Sequence, residues 1–226
     1  MPDSGISILF EGRNLIRLAQ GLWVTAYIAF VSVALSTLLG VLVGLAMSSR
    51  FTALRAVMRL YLDAIRIVPV LVLLFLAYFG LGKVFHVNLN AELASILVFT
   101  LWGAAEMGDI VRGAVTSLPR HQRESGLSIG LTEGQVYRYV IIPQAVRRLL
   151  PGAINLATRM IKTTSLVMLI GVVEVLKVGQ QIIEYASLIS NPTASFWVYA
   201  FILFLYFAIC YPISRYAAYL EQKWQS

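Results

Sequence analysis

Glu124 to Pro143 reads ESGLSIGLTEGQVYRYVIIP. The stretch is polar, charged and punctuated by glycine, yet it lies inside a chain that is 59% hydrophobic. A long polar segment between apolar runs must have work to do in water; the plainer alternative is an ordinary amphipathic loop helix. Its spacing is specific. Gly130 follows Glu124 by six residues, then come Val140 and the Ile142-Pro143 pair.

Working outward, the composition sets the class. Only 13% of the 226 residues are charged and the mean hydropathy is +0.79, where a soluble domain has about a quarter of its residues charged. The length suits one membrane bundle and no sizeable second domain. Cys210 is the single cysteine, so no internal disulfide can form. A span needs about 20 mainly apolar residues, and five stretches qualify, at roughly 22–47, 60–82, 93–115, 151–173 and 196–213. The chain is expected to be an all-α integral membrane protein of five transmembrane helices.

Lys and Arg set the orientation. Arg50, Arg55 and Arg59 follow the first span, and Arg120, Arg123, Arg138, Arg147 and Arg148 follow the third. Arg215 and Lys223 follow the fifth, whereas the opposite side carries only Arg13, Arg17, Lys83 and Lys177. The rich side is expected in the cytoplasm, which puts the N-terminus outside and the C-terminus inside. The net charge of +7 is mostly this asymmetry, and its spread over membrane-flanking loops argues against nucleic-acid binding. Residues 1–20 carry Asp3 and Glu11 ahead of a 26-residue apolar run, unlike a cleaved signal peptide. They read as an amphipathic segment at the outer interface, and residues 220–226 as a cytoplasmic tail.

Polar residues inside the spans carry the next information. Gly40 and Gly44 allow a close helix approach, though such pairs also arise by chance in apolar helices. Asp63 and Arg66 lie three apart and can pair on one helix face, the plainer alternative being an interfacial Arg66 that snorkels; Pro69 then permits a kink. Glu106, Asp109 and Arg112 lie near one face of the third span, where charges usually face a bundle interior or a water-filled path. An interfacial Asp109–Arg112 pair is the milder explanation for two of them. Arg159 and Lys162 share a face of the fourth span, followed by the hydroxyls of Thr163, Thr164 and Ser165. Those hydroxyls either bond back to their own helix or form a polar patch on a solute path.

Taken together, these residues resemble the polar amino-acid uptake family of type-I ABC importer permeases, over about residues 21–219. Glu124-Ser125-Gly126, Gly130 and Ile142-Pro143 resemble that family's E-A-A loop, the surface an ATPase subunit grips. Arg66-Ile-Val-Pro69 is similar to its R-x-x-P, Asp109-Ile-Val-Arg112-Gly113 to its E-x-x-R-G, and Pro143-Gln144-Ala145 with Pro151 to its P-Q-A and second proline. Lys162-Thr-Thr-Ser-Leu166 stands for K-D-T-S-L, and Glu174 for a later glutamate. Glu106 stands where the family often has Tyr, and Thr163 where it often has Asp, so a polar or acidic amino acid is expected as the substrate, with a cationic one as the alternative.

The resemblance implies a type-I permease domain over 21–219 with a cytoplasmic coupling loop at 120–145, in a bacterial cytoplasmic (inner) membrane. Coupling would fall to Glu124, Ser125, Gly126, Gly130 and Pro143. Glu106, Arg159, Lys162, Thr163, Thr164 and Ser165 would line the substrate path, and Arg66, Pro69, Asp109, Arg112 and Glu174 would be structural. It implies two copies of an ABC ATPase subunit using ATP and Mg, a second identical or paralogous permease, and a periplasmic or extracellular solute-binding protein. The chain itself has no G-x-x-x-x-G-K-[ST], so it is not expected to cradle ATP or to be an enzyme. His121 with Glu124, and His86 alone, make no metal set such as H-E-x-x-H, so neither a metal site, a bound cofactor nor a catalytic residue is expected. A stand-alone secondary transporter is the rival reading, but five spans do not divide into the two equal repeats common there.

Overall fold

In lipid the backbone has no water to bond, so a spanning segment must satisfy its own N–H and C=O groups, and a helix does so within one segment. In the computed structural model the described residues are 5–85, 89–188 and 193–225; Asp3, His86 and Ser226 lie outside them. Every regular element described is helical. Helix α1 is Asn14–Met47, α2 Thr52–Ile67, α3 Val70–Phe75, α4 Leu81–Phe85 and α5 Ala91–Thr116. Then come α6 Arg120–Ser128, α7 Glu133–Val136, α8 Ile142–Thr163, α9 Val175–Leu188 and α10 Ala194–Gln225. A wide π turn over Leu76–Gly80 joins α3 to α4, and another over Tyr137–Ile141 joins α7 to α8. A tight 3-10 stretch continues α8 to Ile170.

Four helices are long and apolar enough to cross a membrane: Asn14–Met47, Ala91–Thr116, Glu133–Ile170 and Ala194–Trp224. The expected second span, 60–82, is not one straight helix. Thr52–Ile67 and Val70–Gly80 meet at 98°. Pro69 has no N–H and disfavours helical backbone at the residue before it, and Val68 is indeed extended, at φ −80° and ψ 127°. Residues 14–20 are continuous with the first long helix, which starts at Asn14, and residues 220–225 continue α10.

The chain divides into two compact units. The first comprises the N-terminal part of α1 to Val31, Val70–Val98 and Arg159–Pro212. Its core is Ile8, Leu9 and Leu18 against Val175, Val178 and Ile182 of α9 and Val198 and Ile202 of α10. Asn14 Nδ2 holds the N-terminal turn by donating to the Ile8 carbonyl at 2.8 Å.

The second unit comprises Ser32–Pro69, Phe99–Thr158 and Ile213–Ser226. Here the C-terminal part of α1 packs on α5 with almost no gap. A Cβ on Gly40 would lie 2.6 Å from Met107 Cγ, and one on Gly44 2.6 Å from Val111 Cβ. A Cβ on Gly108 would lie 2.6 Å from Val43 Cγ1. Contact positions rise together along both helices, so α1 and α5 run parallel. Two parallel spans point the same way through the bilayer, and the chain between them must cross back once. The bent pair Thr52–Ile67 and Val70–Gly80 is the candidate for that crossing, which makes up to five spans.

Gly44 fixes the α1–α5 approach, whereas a Cβ on Gly113, also in α5, meets nothing within 4 Å. Gly44→Val is expected to cost about 1–3 kcal/mol by overpacking and to lower the melting temperature of the purified protein by several degrees. Gly113→Ala is expected to leave it unchanged or slightly raised. Equal melting temperatures for Gly44→Val and the unaltered protein would remove the close approach as a stabilising feature.

Candidate functional site

The polar stretch folds as an elbow in the second unit. Helix α6 ends in a glycine cap. Gly130 sits at φ +89°, its N–H bonds the Leu127 carbonyl at 3.0 Å, and the Leu131 N–H bonds the Gly126 carbonyl at 3.2 Å. This pair of bonds satisfies carbonyls that the helix end would strand. Helix α7 opens with a reciprocal cap. Thr132 Oγ1 accepts from the Gln135 N–H at 3.4 Å, and Gln135 Oε1 accepts from the Thr132 N–H at 2.9 Å. That capping box was readable in the sequence as T-x-x-Q and was missed.

Gly126 faces Val136, which is 0% exposed; a Cβ there would lie 2.9 Å from Val136 Cγ2. The three glycines of the elbow do different things. Gly126 closes the elbow on itself, Gly130 supplies a left-handed residue, and Gly134 has open space around it. Arg123 pairs with Glu133, with its Nε donating to Oε2 at 3.1 Å. Gln144 Nε2 donates to Gln122 Oε1 at 3.2 Å, and Arg148 Nη1 to the Ser117 carbonyl at 2.7 Å. Pro143 cannot donate within the helix that runs on from α7, and its ring crowds the carbonyl four residues back; the wide turn over Tyr137–Ile141 gives that carbonyl room. Glu124 and Ser125 remain exposed on α6, beside an Ile129 that is 78% exposed.

The intramembrane charges of α5 meet α2 in the same unit. Arg66 Nε donates to Glu106 Oε1 at 2.8 Å, and Arg66 Nη2 lies 3.0 Å from Asp109 Oδ2. Arg112 reaches Asp109 Oδ1 through Nη2 at 2.6 Å and Nε at 3.0 Å. Two cations and two carboxylates make a neutral quartet. The expected Asp63–Arg66 pair is replaced by this one: Arg66 bonds Glu106 and Asp109, because a guanidinium offers several donors in a fork that two carboxylates can share. Tyr61 supports the contact, its hydroxyl donating to the Leu101 carbonyl at 2.6 Å.

Arg159 to Ser165 belong to the first unit. The hydroxyls bond back to their own helix. Thr163 donates to the Arg159 carbonyl at 2.9 Å, Thr164 to Ile161 at 2.6 Å and Ser165 to Lys162 at 2.9 Å. Thr164 is fully buried. Lys162 and Ser165 nevertheless line an open groove of about 380 Å³ with Tyr199 and Tyr206. Glu174, 0% exposed, caps α9 by accepting from the N–H groups of Leu176 and Lys177 at 3.0 and 2.8 Å. It also accepts from Thr25 Oγ1 at 3.3 Å and the Tyr206 hydroxyl at 3.5 Å.

Residues 15–226 match the family described as "Binding-protein-dependent transport system inner membrane component". The chain is 32% identical, over 91% of its length and 88% of the relative's, to a protein of Bacillus subtilis (strain 168) named "Probable amino-acid ABC transporter permease protein YckA". It is 34% identical to the "Glutamine transport system permease protein GlnP" of Escherichia coli (strain K12), over 74% of this chain and 76% of that one. Among solved structures it resembles a chain of "Crystal structure of an amino acid ABC transporter with histidines", with a TM-score of 0.83 at 27% identity over 93% of this chain and 95% of that one.

The elbow's shape rests on the left-handed backbone at Gly130. Gly130→Val is expected to cost the α6 cap about 1–2 kcal/mol and to speed hydrogen exchange of the Leu131 amide. Gly134→Ala, with open space around it, is expected to do neither. Identical exchange in the two variants would show that the cap does not depend on glycine.

Proposed function

The chain belongs to the family of binding-protein-dependent transport system inner membrane components, and from that premise we propose that it is the permease subunit of an ATP-driven importer of a polar or acidic amino acid. The observation that carries this reading is the α6–α7 elbow: a polar, internally braced projection between membrane helices that presents Glu124, Ser125 and Ile129 outward. Such a surface suits a water-side partner. The chain has no phosphate-binding G-x-x-x-x-G-K-[ST] loop, so the energy source is an ATPase in separate subunits, two copies of which would use ATP and Mg. A second permease completes the path, and an external solute-binding protein delivers the amino acid. The similarity to proteins named as amino-acid and glutamine permeases supports the substrate class.

The orientation that fits is N-terminus outside and C-terminus inside, with the elbow in the cytoplasm of a bacterial cell, since the elbow side carries most of the Lys and Arg. Closure of the ATPase pair on ATP favours one arrangement of the two permeases over the other and shifts the population toward it. If α6 seats in a cleft of the ATPase, reversing its exposed charge breaks the coupling. Glu124→Lys is expected to abolish uptake and weaken ATPase co-purification while leaving membrane insertion intact. Normal uptake by that variant would sink the assignment of the elbow.

The preference for polar or acidic substrates rests on the charges. Glu106 and Asp109 of α5 already hold Arg66 and Arg112 within 3.0 Å, so they offer a cationic solute no unneutralised carboxylate pair. Lys162 lines the groove of the first unit, and Thr163 stands where a carboxylate would favour a cation. In cells expressing the whole assembly, glutamate, aspartate or glutamine is expected to compete strongly for uptake, and arginine or lysine weakly. Arg66→Gln, by unmasking Glu106, is expected to improve competition by arginine about ten-fold, a gain of about 1.4 kcal/mol. Dominant competition by arginine or lysine in the unaltered protein would reverse the substrate assignment and leave the importer reading intact.

A further inference from the structure

Beside the elbow, α8 and the end of α10 enclose a pocket of about 350 Å³ in the second unit, lined by Arg147, Arg148, Pro151, Asn155, Glu221 and Trp224, among others. The arrangement is built, not incidental. Arg148 is tethered by Nη1 alone, which donates to the Ser117 carbonyl at 2.7 Å and to Ser117 Oγ at 2.9 Å. Its other guanidinium donors stay available. Arg147 has no hydrogen bond or ion pair among the described residues. Glu221 opposes the two arginines, so the lining carries one net positive charge.

Two further features narrow the ligand. Pro151 has no N–H to give the Arg147 carbonyl, four residues earlier in α8. That carbonyl lacks its usual helical donor. Asn155, on the same lining, offers an amide oxygen that accepts from a hydroxyl, so the site combines anion-binding guanidinium groups with a hydroxyl acceptor. Trp224 closes the last candidate membrane-spanning helix, Ala194–Trp224, and tryptophan favours the level of the lipid headgroups. Basic pockets between membrane helices at that level bind anionic headgroups.

We propose that this pocket binds a phosphate diester whose headgroup carries free hydroxyls, as phosphatidylglycerol does. The phosphate oxygens accept from Arg147 and Arg148, and a headgroup hydroxyl donates to the Asn155 side-chain oxygen. The assignment rests on the membrane-spanning reading of α8 and α10 and not on what is transported, so it stands or falls apart from the uptake experiments. A bound lipid here would brace α8 against α10 at the base of the elbow.

The test uses the full-length permease purified with its co-expressed partner subunits, stripped of lipid and returned to phosphatidylglycerol, phosphatidylcholine or inorganic phosphate. Native mass spectrometry is expected to show phosphatidylglycerol retained in preference to phosphatidylcholine. Arg147→Gln should weaken that retention about five-fold, and Arg147→Lys should largely restore it. Brominated phosphatidylglycerol should quench tryptophan emission in the unaltered protein, with part of the quenching lost in Trp224→Phe; the unaltered arm needs no variant to fold. Equal retention of the two lipids, or retention unchanged in Arg147→Gln, overturns the proposal. Displacement by millimolar inorganic phosphate with no preference between the lipids assigns the pocket to a soluble phosphate instead and overturns the lipid source.

Discussion

The parallel contact between α1 and α5 constrains most of what surrounds it. Gly40, Gly44 and Gly108 bring two backbones so close that Met107, Val111 and Val43 fill the space a Cβ would need. In lipid, where apolar side chains gain little by leaving one apolar medium for another, close van der Waals packing of this kind holds helices together. Because the helices are parallel, the chain from Met47 to Ala91 must return across the bilayer. It does so through a sharp bend: α2 stops at Ile67, Val68 is extended, and α3 starts after Pro69. The bend leaves Arg66 in the last turn of α2, where a cation is favoured by the helix dipole and where it reaches Glu106 and Asp109. The charges of α5 are tolerable in a membrane because α2 supplies their counter-ion.

The fold was legible in the sequence to the extent that composition and length decide it. Long uncharged runs can only be helices in lipid, and a polar stretch among them stands out. What was not legible required partners far along the chain. Pairing Asp63 with Arg66 follows from helical spacing, which knows only neighbours three or four residues away; Glu106 is 40 residues on and was brought in by tertiary packing. The 98° bend was likewise read only as a kink, since one proline does not state an angle. Among the expected site residues, Thr163, Thr164 and Ser165 illustrate a real ambiguity. A hydroxyl in a membrane helix can donate inward or outward with equal sequence cost, and here all three donate to carbonyls of their own helix. Thr164 is buried, and of the three only Ser165 lies on the groove with Lys162.

Glu174 plays in the first unit the part that Arg66 plays in the second. Its carboxylate is wholly buried, yet it accepts bonds from two backbone amides of α9, from Thr25 of α1 and from Tyr206 of α10. Two of those donors are the orphan N–H groups at the start of α9, the place on a helix where an anion is best received. The residue was readable only as a late acidic position. Its role lies in joining three elements that are far apart in the chain, and no local pattern encodes that.

The elbow's construction bears on how a pull on α6 would travel. A flexible loop would absorb the motion of a partner. Here α6 is joined to α7 through Gly126–Val136 packing and the Arg123–Glu133 pair, and to α8 through Gln122 and Gln144. Arg148 then joins α8 to the C-terminal end of α5 at Ser117. Displacing α6 therefore displaces the ends of two membrane helices together, one of which carries the quartet and packs on α1. The glycine cap at Gly130 and the reciprocal cap at Thr132 serve that purpose at low cost: they let the chain turn twice within a few residues without leaving helix-end groups that would favour loosening. A polar projection stiffened by its own hydrogen bonds and fastened to two spans would pass on a displacement that an unbraced loop would absorb.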